Sequence, residues 1–159
     1  MCIEIDIKYP QNEYLTFFSS SNEQSFFEGE FMKLAGLVIR DPWISLIMSG
    51  QKTWEIRGSA TRKRGLIALI KGGSKHILGV CEILAVHGPL TFDEYSQTQN
   101  KHLTPPIELS SKGLPYPKTY AWELGNVIPF KSPVQYTHPK GAITWVTLDL
   151  DIEDILCLK

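Results

Sequence analysis

Three charged residues with complementary chemistry lie close together in this sequence: Lys52, Glu55 and Arg57. Apolar and polar side chains alternate over residues 53–57, which is the period of a β-strand. A strand that buries its apolar face therefore presents Glu55 and Arg57 together on the other face, with Lys52 at its start. The spacing predicts a candidate site that combines an ammonium, a carboxylate and a guanidinium group.

This set of side chains could support catalysis or binding. Lys52, if desolvated beside Arg57, would have a lowered pKa and could act as a base or nucleophile. Glu55 could relay protons, or could accept a hydrogen bond from the exocyclic amine of a nucleic-acid base. Arg57 could hold a phosphate or a carbonyl oxygen. The alternative without function is a Glu55–Arg57 ion pair on a solvated sheet.

Further candidates for ligand binding surround this set. Trp43, Tyr120 and Trp122 could stack on unpaired bases or could belong to the core. Arg64 follows two other basic residues in the loop after the strand and could contact phosphate. Thr53 shares the strand face of Glu55. The four histidines and three cysteines show no metal-ligand spacing, so the sequence predicts neither a metal nor a cofactor.

A short helix is predicted over residues 41–50, directly before the strand. Asp41 is expected to accept hydrogen bonds from the first turn, and Pro42 suits the first helical position. Gly50 suits the left-handed conformation that ends many helices. An apolar stripe at helical spacing is predicted to face the core, formed by Trp43, Leu46 and Ile47.

The rest of the pattern predicts an α+β fold with short strands and few helices. No strand–helix–strand alternation occurs, so we expect a small mixed β-barrel. Gly79 is expected to mark a bulge or a close backbone approach. Strand patterns occur at residues 34–40, 66–70, 77–86, 120–124 and 143–150.

The segment after residue 88 is less regular. A helix is predicted over residues 90–97, where Thr91 and Glu94 have the spacing of a capping box. The proline-rich stretch that follows, up to Lys118, is expected to be an extended surface loop. Long loops of this kind are often functional, which makes it a candidate flap.

Length and composition restrict the class of protein. A chain of 159 residues with 43% hydrophobic and 21% charged residues is typical of one globular domain. No apolar run approaches the ~18 residues that span a membrane. Three scattered cysteines do not predict a disulfide framework and favour a cytoplasmic location.

The net charge of −1 conceals a strong segregation of charge. Residues 32–148 hold 14 of the 16 basic residues but 7 of the 17 acidic ones, so the middle of the chain is basic. This distribution suits a polyanion-binding domain, although a lysine-rich surface without function has the same composition. The predicted organisation is an acidic N-terminal extension over 1–31, which could add an edge strand, a domain over 32–149, and an acidic tail over 150–159.

The charged residues belong to a longer pattern that resembles the ASCH domain, a PUA-like family named for activating signal cointegrator-1 homology. Its most specific part is Gly50-x-Lys52-x-x-Glu55-x-Arg57, after Pro42-Trp43 and Leu46. Arg64-Gly65, Leu78-Gly79 and segments 120–124 and 139–145 extend the resemblance over residues 34–149. The resemblance implies a small β-barrel, with these residues at the floor of a cleft between barrel and helix.

The resemblance also implies RNA, single-stranded nucleic acid or a modified nucleoside as the partner. Some members of this family are enzymes: one group hydrolyses N4-acetylcytidine, and another has ribonuclease activity. The deacetylating group has Lys-x-x-Thr, in which the lysine activates a threonine nucleophile. Lys52 matches that lysine, but Glu55 stands at the threonine position, so the same mechanism cannot operate unchanged.

Two functions are therefore expected, besides the plainer alternative of a module that binds a nucleoside-sized small molecule or a protein, with the acidic N-terminal segment as part of the interface. The first is a protein that binds a nucleic acid or nucleoside through Trp43, Lys52, Thr53, Glu55, Arg57, Arg64, Tyr120 and Trp122. The second is a hydrolase of a nucleoside amide or an RNA phosphodiester, with Lys52 and Glu55 as the catalytic residues.

Overall fold

The computed structural model describes residues 31–151 as one six-stranded sheet with four short helices. The strands are β1 (Phe31–Ile39), β2 (Trp54–Arg57), β3 (Gly65–Lys71), β4 (His76–His87), β5 (Tyr120–Gln135) and β6 (Trp145–Asp151). The helices are α1 (Trp43–Met48), α2 (Phe92–Gln97), α3 (Gln99–His102) and α4 (Pro106–Lys112). The longest helix in residues 31–151 has 7 residues, so none of the described helices could span a membrane.

The sheet is mixed and open. Its strand order is β2-β5-β4-β3-β1-β6, with β1 and β3 parallel and every other neighbouring pair antiparallel. The predicted α+β class is confirmed, but the predicted closed barrel is wrong. Within the described residues β2 and β6 are the two edges and do not pair with each other. α3 packs beside the short β2 instead, where the N–H of Thr53 donates to the carbonyl of Lys101 at 3.0 Å.

Both faces of the sheet are covered by apolar side chains, which explains the continuous apolar sequence of β3. Ile67 and Leu69 belong to the cluster that packs under α1, together with Ile44 and Ile47 of that helix. Ala68 and Ile70, which alternate with them along β3, belong to a second cluster on the other face of the sheet. A strand buried on both faces has no polar alternation, and β3 follows this rule.

α1 begins differently from the prediction. The Asp41 carboxylate accepts a hydrogen bond from the Ser45 hydroxyl in the first turn at 2.6 Å and pairs with Lys71, and these contacts, with the backbone N–H of Ser45, lower its pKa. Pro42 is the N-cap residue and not the first helical residue. The buried stripe is also shifted. Ile44 and Ile47 are fully buried, whereas Leu46 is only partly so.

Residues 88–119 contain more helix than predicted. The Thr91–Glu94 capping box of α2 is confirmed by bonds in both directions, of 2.8 and 3.3 Å. The expected extended loop is wrong in part, because α3 and α4 occupy residues 99–112. Pro106 begins α4, at a position where the missing N–H of proline costs no hydrogen bond. Residues 113–119 remain non-helical.

Gly79 marks a close approach between strands, as predicted. The register between β4 and β5 shifts beside it, and a Cβ at this position would overlap the carbonyl oxygen of Ile128. The strand expected in residues 1–31 and the acidic tail beyond Asp151 lie outside the described residues.

Candidate functional site

A cavity of about 590 Å³ opens where α1 and β2 meet α3, α4 and the loops at residues 113–119 and 136–144. β2 supplies its charged floor through the predicted alternation. Glu55 and Arg57 line the cavity, whereas Trp54 is 5% exposed in an apolar cluster with Leu90 and Tyr95.

The end of α1 places Lys52 at the cavity floor. Gly50 takes the predicted left-handed conformation, with φ of +76°, and the N–H of Lys52 donates back to the carbonyl of Leu46 at 3.0 Å. These features turn the chain sharply from the helix into β2. The helix-ending role predicted for Gly50 is thus confirmed, and its consequence is the position of Lys52.

The Lys52 ammonium is 3% exposed and has three acceptors around it. Its Nζ donates to the carbonyls of Trp54 and His102, the latter at 3.3 Å, and lies 3.4 Å from Oε2 of Glu55. Three acceptors match the three N–H groups of an ammonium. Burial lowers the pKa of Lys52, and the nearby Glu55 carboxylate opposes this shift.

Glu55 stands between two cations. Its other oxygen, Oε1, lies 3.1 Å from Nη2 of Arg57, which also donates to the carbonyl of Val38 at 2.9 Å. The Glu55 side chain is 8% exposed and that of Arg57 is 19% exposed, so a solvated ion pair is excluded. Within the described residues, Nε of Arg57 is buried without a hydrogen-bond partner.

The structure brings together four of the residues predicted to bind a ligand. Trp43, Lys52, Glu55 and Arg57 all line the cavity. Trp43 forms part of its wall, and its ring centroid lies 5.3 Å from Nζ of Lys52.

The other predicted residues lie elsewhere. Trp122 is 2% exposed behind Arg57, stacked on Trp145 with 5.5 Å between ring centroids. Tyr120 packs at the margin of the core, and Thr53 lies on the exposed surface before β2. Arg64 is exposed in the loop after β2, where its Nη1 donates to the carbonyls of Thr61 and Lys63.

Several cavity residues were missed by the sequence prediction. They come from α2, α3, α4 and the surrounding loops, and only α2 lies in a segment that the sequence predicts as helix. Tyr116 is 40% exposed at the rim, beside Gly58. No local pattern could reveal them, because tertiary packing alone brings these segments to β2. The additional lining residues include Tyr95, His102, Thr104, Glu108, Tyr116 and His138.

No group of side chains in residues 31–151 has the arrangement of a metal site. The cavity instead offers fixed hydrogen-bond donors and acceptors. Its carboxylate, guanidinium and aromatic walls suit a planar polar ligand of nucleoside size, since small-molecule sites commonly enclose roughly 300–1,000 Å³.

Comparison with known proteins places this geometry in context. Residues 37–134 match the sequence model of the ASCH domain. No curated protein sequence matches the chain significantly.

Solved structures with a similar fold include an ASCH protein from Zymomonas mobilis. It is 16% identical, with a TM-score of 0.55 over 79% of this chain and 93% of that one. A serine-to-alanine mutant of it gives 0.56 over 73% and 88%, also at 16% identity. A tyrosine-to-phenylalanine mutant gives 0.53 over 74% and 91%. At this identity the likeness concerns the fold alone.

Proposed function

This chain belongs to the ASCH domain family, and on that premise we propose that its cavity binds a base of RNA or single-stranded nucleic acid, or a modified nucleoside. The observation that supports this most directly is the pair formed by Glu55 and Arg57 on the cavity floor. It sets a hydrogen-bond acceptor beside a hydrogen-bond donor.

Glu55 is suited to an amino group of the ligand. Each of its oxygens faces one protein cation, and a carboxylate has about four lone-pair sites in all, so acceptor capacity is left over. Arg57 is suited to a neighbouring ring nitrogen or carbonyl oxygen, because a guanidinium has five N–H donors and its contacts to Glu55 and Val38 both use Nη2. An amino group beside such an acceptor is the edge of cytosine or adenine.

Aromatic side chains supply the faces of the site. Trp43 lies on the wall, and Tyr116 lies at the rim with 40% of its surface exposed. A flipped-out or single-stranded base gains from stacking on such rings. Of the predicted stacking residues, Trp43 keeps this proposed role, while Trp122 supports Arg57 from behind.

The loop after β2 is suited to the phosphates of a strand. Its exposed basic side chains, Arg62, Lys63 and Arg64, follow directly from the cavity floor. The loop is tied to the core behind Arg57, because the carbonyl of Ser59 accepts a hydrogen bond from Nε1 of Trp122 at 2.9 Å. Lys63 lies 5.1 Å from the ring centroid of Trp145.

The hydrolase alternative with Lys52 as base has less support. A general base needs a lone pair directed at the substrate. The three N–H groups of Lys52 face Trp54, His102 and Glu55, so its position suits a permanent cation that holds the floor together.

Titration of short single-stranded RNAs at two ionic strengths tests the proposal. Binding should weaken steeply with salt, because each phosphate contact to a single strand contributes about 0.7 to the slope of log K against log salt. Absence of binding to RNA and to nucleosides alike would overturn it. Binding that does not depend on salt would contradict phosphate contacts to a nucleic-acid strand and would favour a nucleoside as the ligand.

A further inference from the structure

A threonine hydroxyl at the cavity wall is held by two partners. Oγ1 of Thr104 lies 2.7 Å from the Tyr95 hydroxyl and 2.9 Å from Nδ1 of His102. All three residues line the same cavity as Glu55 and Arg57. A hydroxyl in contact with an imidazole nitrogen is the arrangement from which nucleophilic catalysis starts.

The surroundings determine where each proton lies. Nε2 of His102 is 2.8 Å from the carbonyl oxygen of Tyr95, which can only accept, so in the neutral ring the proton is on Nε2. Nδ1 is therefore an acceptor, and the N–H of Thr104 also donates to it at 3.1 Å. The Thr104 hydroxyl must then point its own proton at Nδ1, while the Tyr95 hydroxyl donates to Oγ1.

His102 is held neutral and oriented. It is fully buried and stacks on the ring of Tyr95, with 4.2 Å between centroids. Burial lowers the pKa of His102, the hydrogen bond to Tyr95 opposes this, and the charge of Lys52 lowers it further. The imidazole is thus in its basic form at neutral pH, and the lone pair of its Nδ1 is directed at the Thr104 hydroxyl.

We propose that Thr104 is the nucleophile, and His102 the general base, of an acyl-transfer site that accepts carboxylic esters. Oγ1 of Thr104 forms a bond to the ester carbonyl carbon as its proton moves to Nδ1 of His102. The C–O bond to the leaving alkoxide then breaks, and His102 returns the proton to the departing oxygen. Water repeats the sequence to release the acid and restore the hydroxyl.

The environment of His102 favours esters over amides. Its Nε2 proton faces a neutral carbonyl, without the carboxylate that stabilises the imidazolium of a Ser-His-Asp triad. A base weakened in this way suits a substrate whose leaving group departs readily. Arg57 lines the same cavity, and its guanidinium has N–H groups beyond the Nη2 that contacts Glu55 and Val38, which suits it to the oxyanion.

The site shares its cavity with the proposed binding function but does not depend on nucleic acid being the ligand. The experiment therefore uses p-nitrophenyl acetate alone. The protein is mixed with the ester, nitrophenolate release is followed, and the reaction is quenched in acid. The acetyl group is then located by peptide mass spectrometry.

The expected result is a burst of nitrophenolate and an acetyl group on Thr104. Thr104→Val, which keeps the shape, should lower the burst at least tenfold, and Thr104→Ser should restore it. Thr147→Val, at an exposed position on β6, is the matched control and should behave as wild type. Acetylation of lysines only, or an undiminished burst in Thr104→Val, would overturn the proposal. If Thr104→Val fails to fold, the location of the acetyl group in the wild-type protein decides alone.

Discussion

Nζ of Lys52 lies 3.4 Å from Oε2 of Glu55, and both side chains are almost completely withdrawn from water. A buried ion pair is costly to form and still more costly to break, because the partner left behind is an uncompensated charge. The pair therefore supports the floor of the cavity as well as any ligand. Removal of this pair should lower the free energy of unfolding even in the absence of a ligand.

Glu55→Gln should destabilise the protein strongly. The change leaves the ammonium of Lys52 and the guanidinium of Arg57 close together without their shared anion, and we expect a loss of about 3 kcal/mol or more. Urea unfolding at pH 7 measures it. Glu108→Gln is the matched control, because Glu108 is half-exposed and its pair with Lys112 is a surface pair. Equal stability of the two variants would contradict the assigned role of Glu55.

Gly79→Ala should be costly, whereas Gly125→Ala should be nearly neutral. A Cβ at position 79 meets the backbone carbonyl of Ile128, which cannot move without disturbing β5. A Cβ at position 125 meets only the end of the Leu84 side chain, which is 49% exposed and can turn away. We expect Gly79→Ala to lower the free energy of unfolding by about 1–3 kcal/mol, the usual cost of overpacking. The difference in thermal unfolding midpoint between the two variants measures it.

Stability should fall as the pH is lowered from 7 to 5. The pKa of His102 in the folded protein lies below its usual value of 6.5, chiefly because of burial. The unfolded chain therefore binds more protons in this window, and the free energy of unfolding decreases as the pH falls from about 6.5 toward the lowered pKa. Asp41 and Glu94 also have pKa values lowered from 3.8 and 4.5, so most of their effect lies below about pH 5.

Urea unfolding of the wild type and of His102→Gln between pH 7 and 5 tests the assignment to His102. The pH dependence of the free energy of unfolding should be flatter in His102→Gln than in the wild type. Equal slopes in the two proteins would show that another group titrates.

Tyr116→Ala should weaken ligand binding with little effect on folding. Tyr116 is 40% exposed at the rim, and the loss of one stacked base costs about 1–3 kcal/mol, or roughly 5- to 150-fold in Kd. Phe92→Ala is the matched control, because Phe92 is 45% exposed and lies on α2 away from this cavity. Fluorescence titration with a short RNA compares them. Equal affinities of the Tyr116→Ala and Phe92→Ala variants would contradict a role for Tyr116 in ligand binding.

Lys63→Gln should reduce the salt dependence of RNA binding. If Lys63 contacts one phosphate, the slope of log K against log salt should fall by about 0.7. Lys33→Gln removes the same charge from an exposed position on β1 and should leave the slope unchanged. The same change of slope in both variants would indicate a diffuse effect of charge and not a phosphate contact at Lys63.

The sequence predicted the part of the site that depends on local rules. Glu55 and Arg57 share a face because a strand alternates, and Lys52 stands at the floor because Gly50 ends the helix. These relations need only a few consecutive residues. The family resemblance added that this stretch is the floor of a cleft.

The rest of the site depends on contacts between distant segments. Thr104 and Tyr116 reach the cavity from a segment without any period, so no pattern could assign them. The proline-rich sequence around Pro106 predicts extended chain, whereas in the structure this proline stands in the first turn of α4. Trp122 has the size and chemistry of a stacking residue, and only its burial of 98% places it in the core.

The preference between oligocytidine and oligouridine of equal length is the sharpest test of base recognition by Glu55 and Arg57. Cytosine directs an amino group at Glu55, whereas uracil would direct a carbonyl oxygen at the same carboxylate. Isothermal titration at one salt concentration should show oligocytidine bound about tenfold more tightly, in line with ~1–3 kcal/mol for a well-placed base contact. Equal affinity, or a preference for oligouridine, would contradict the proposal that Glu55 and Arg57 recognise a base.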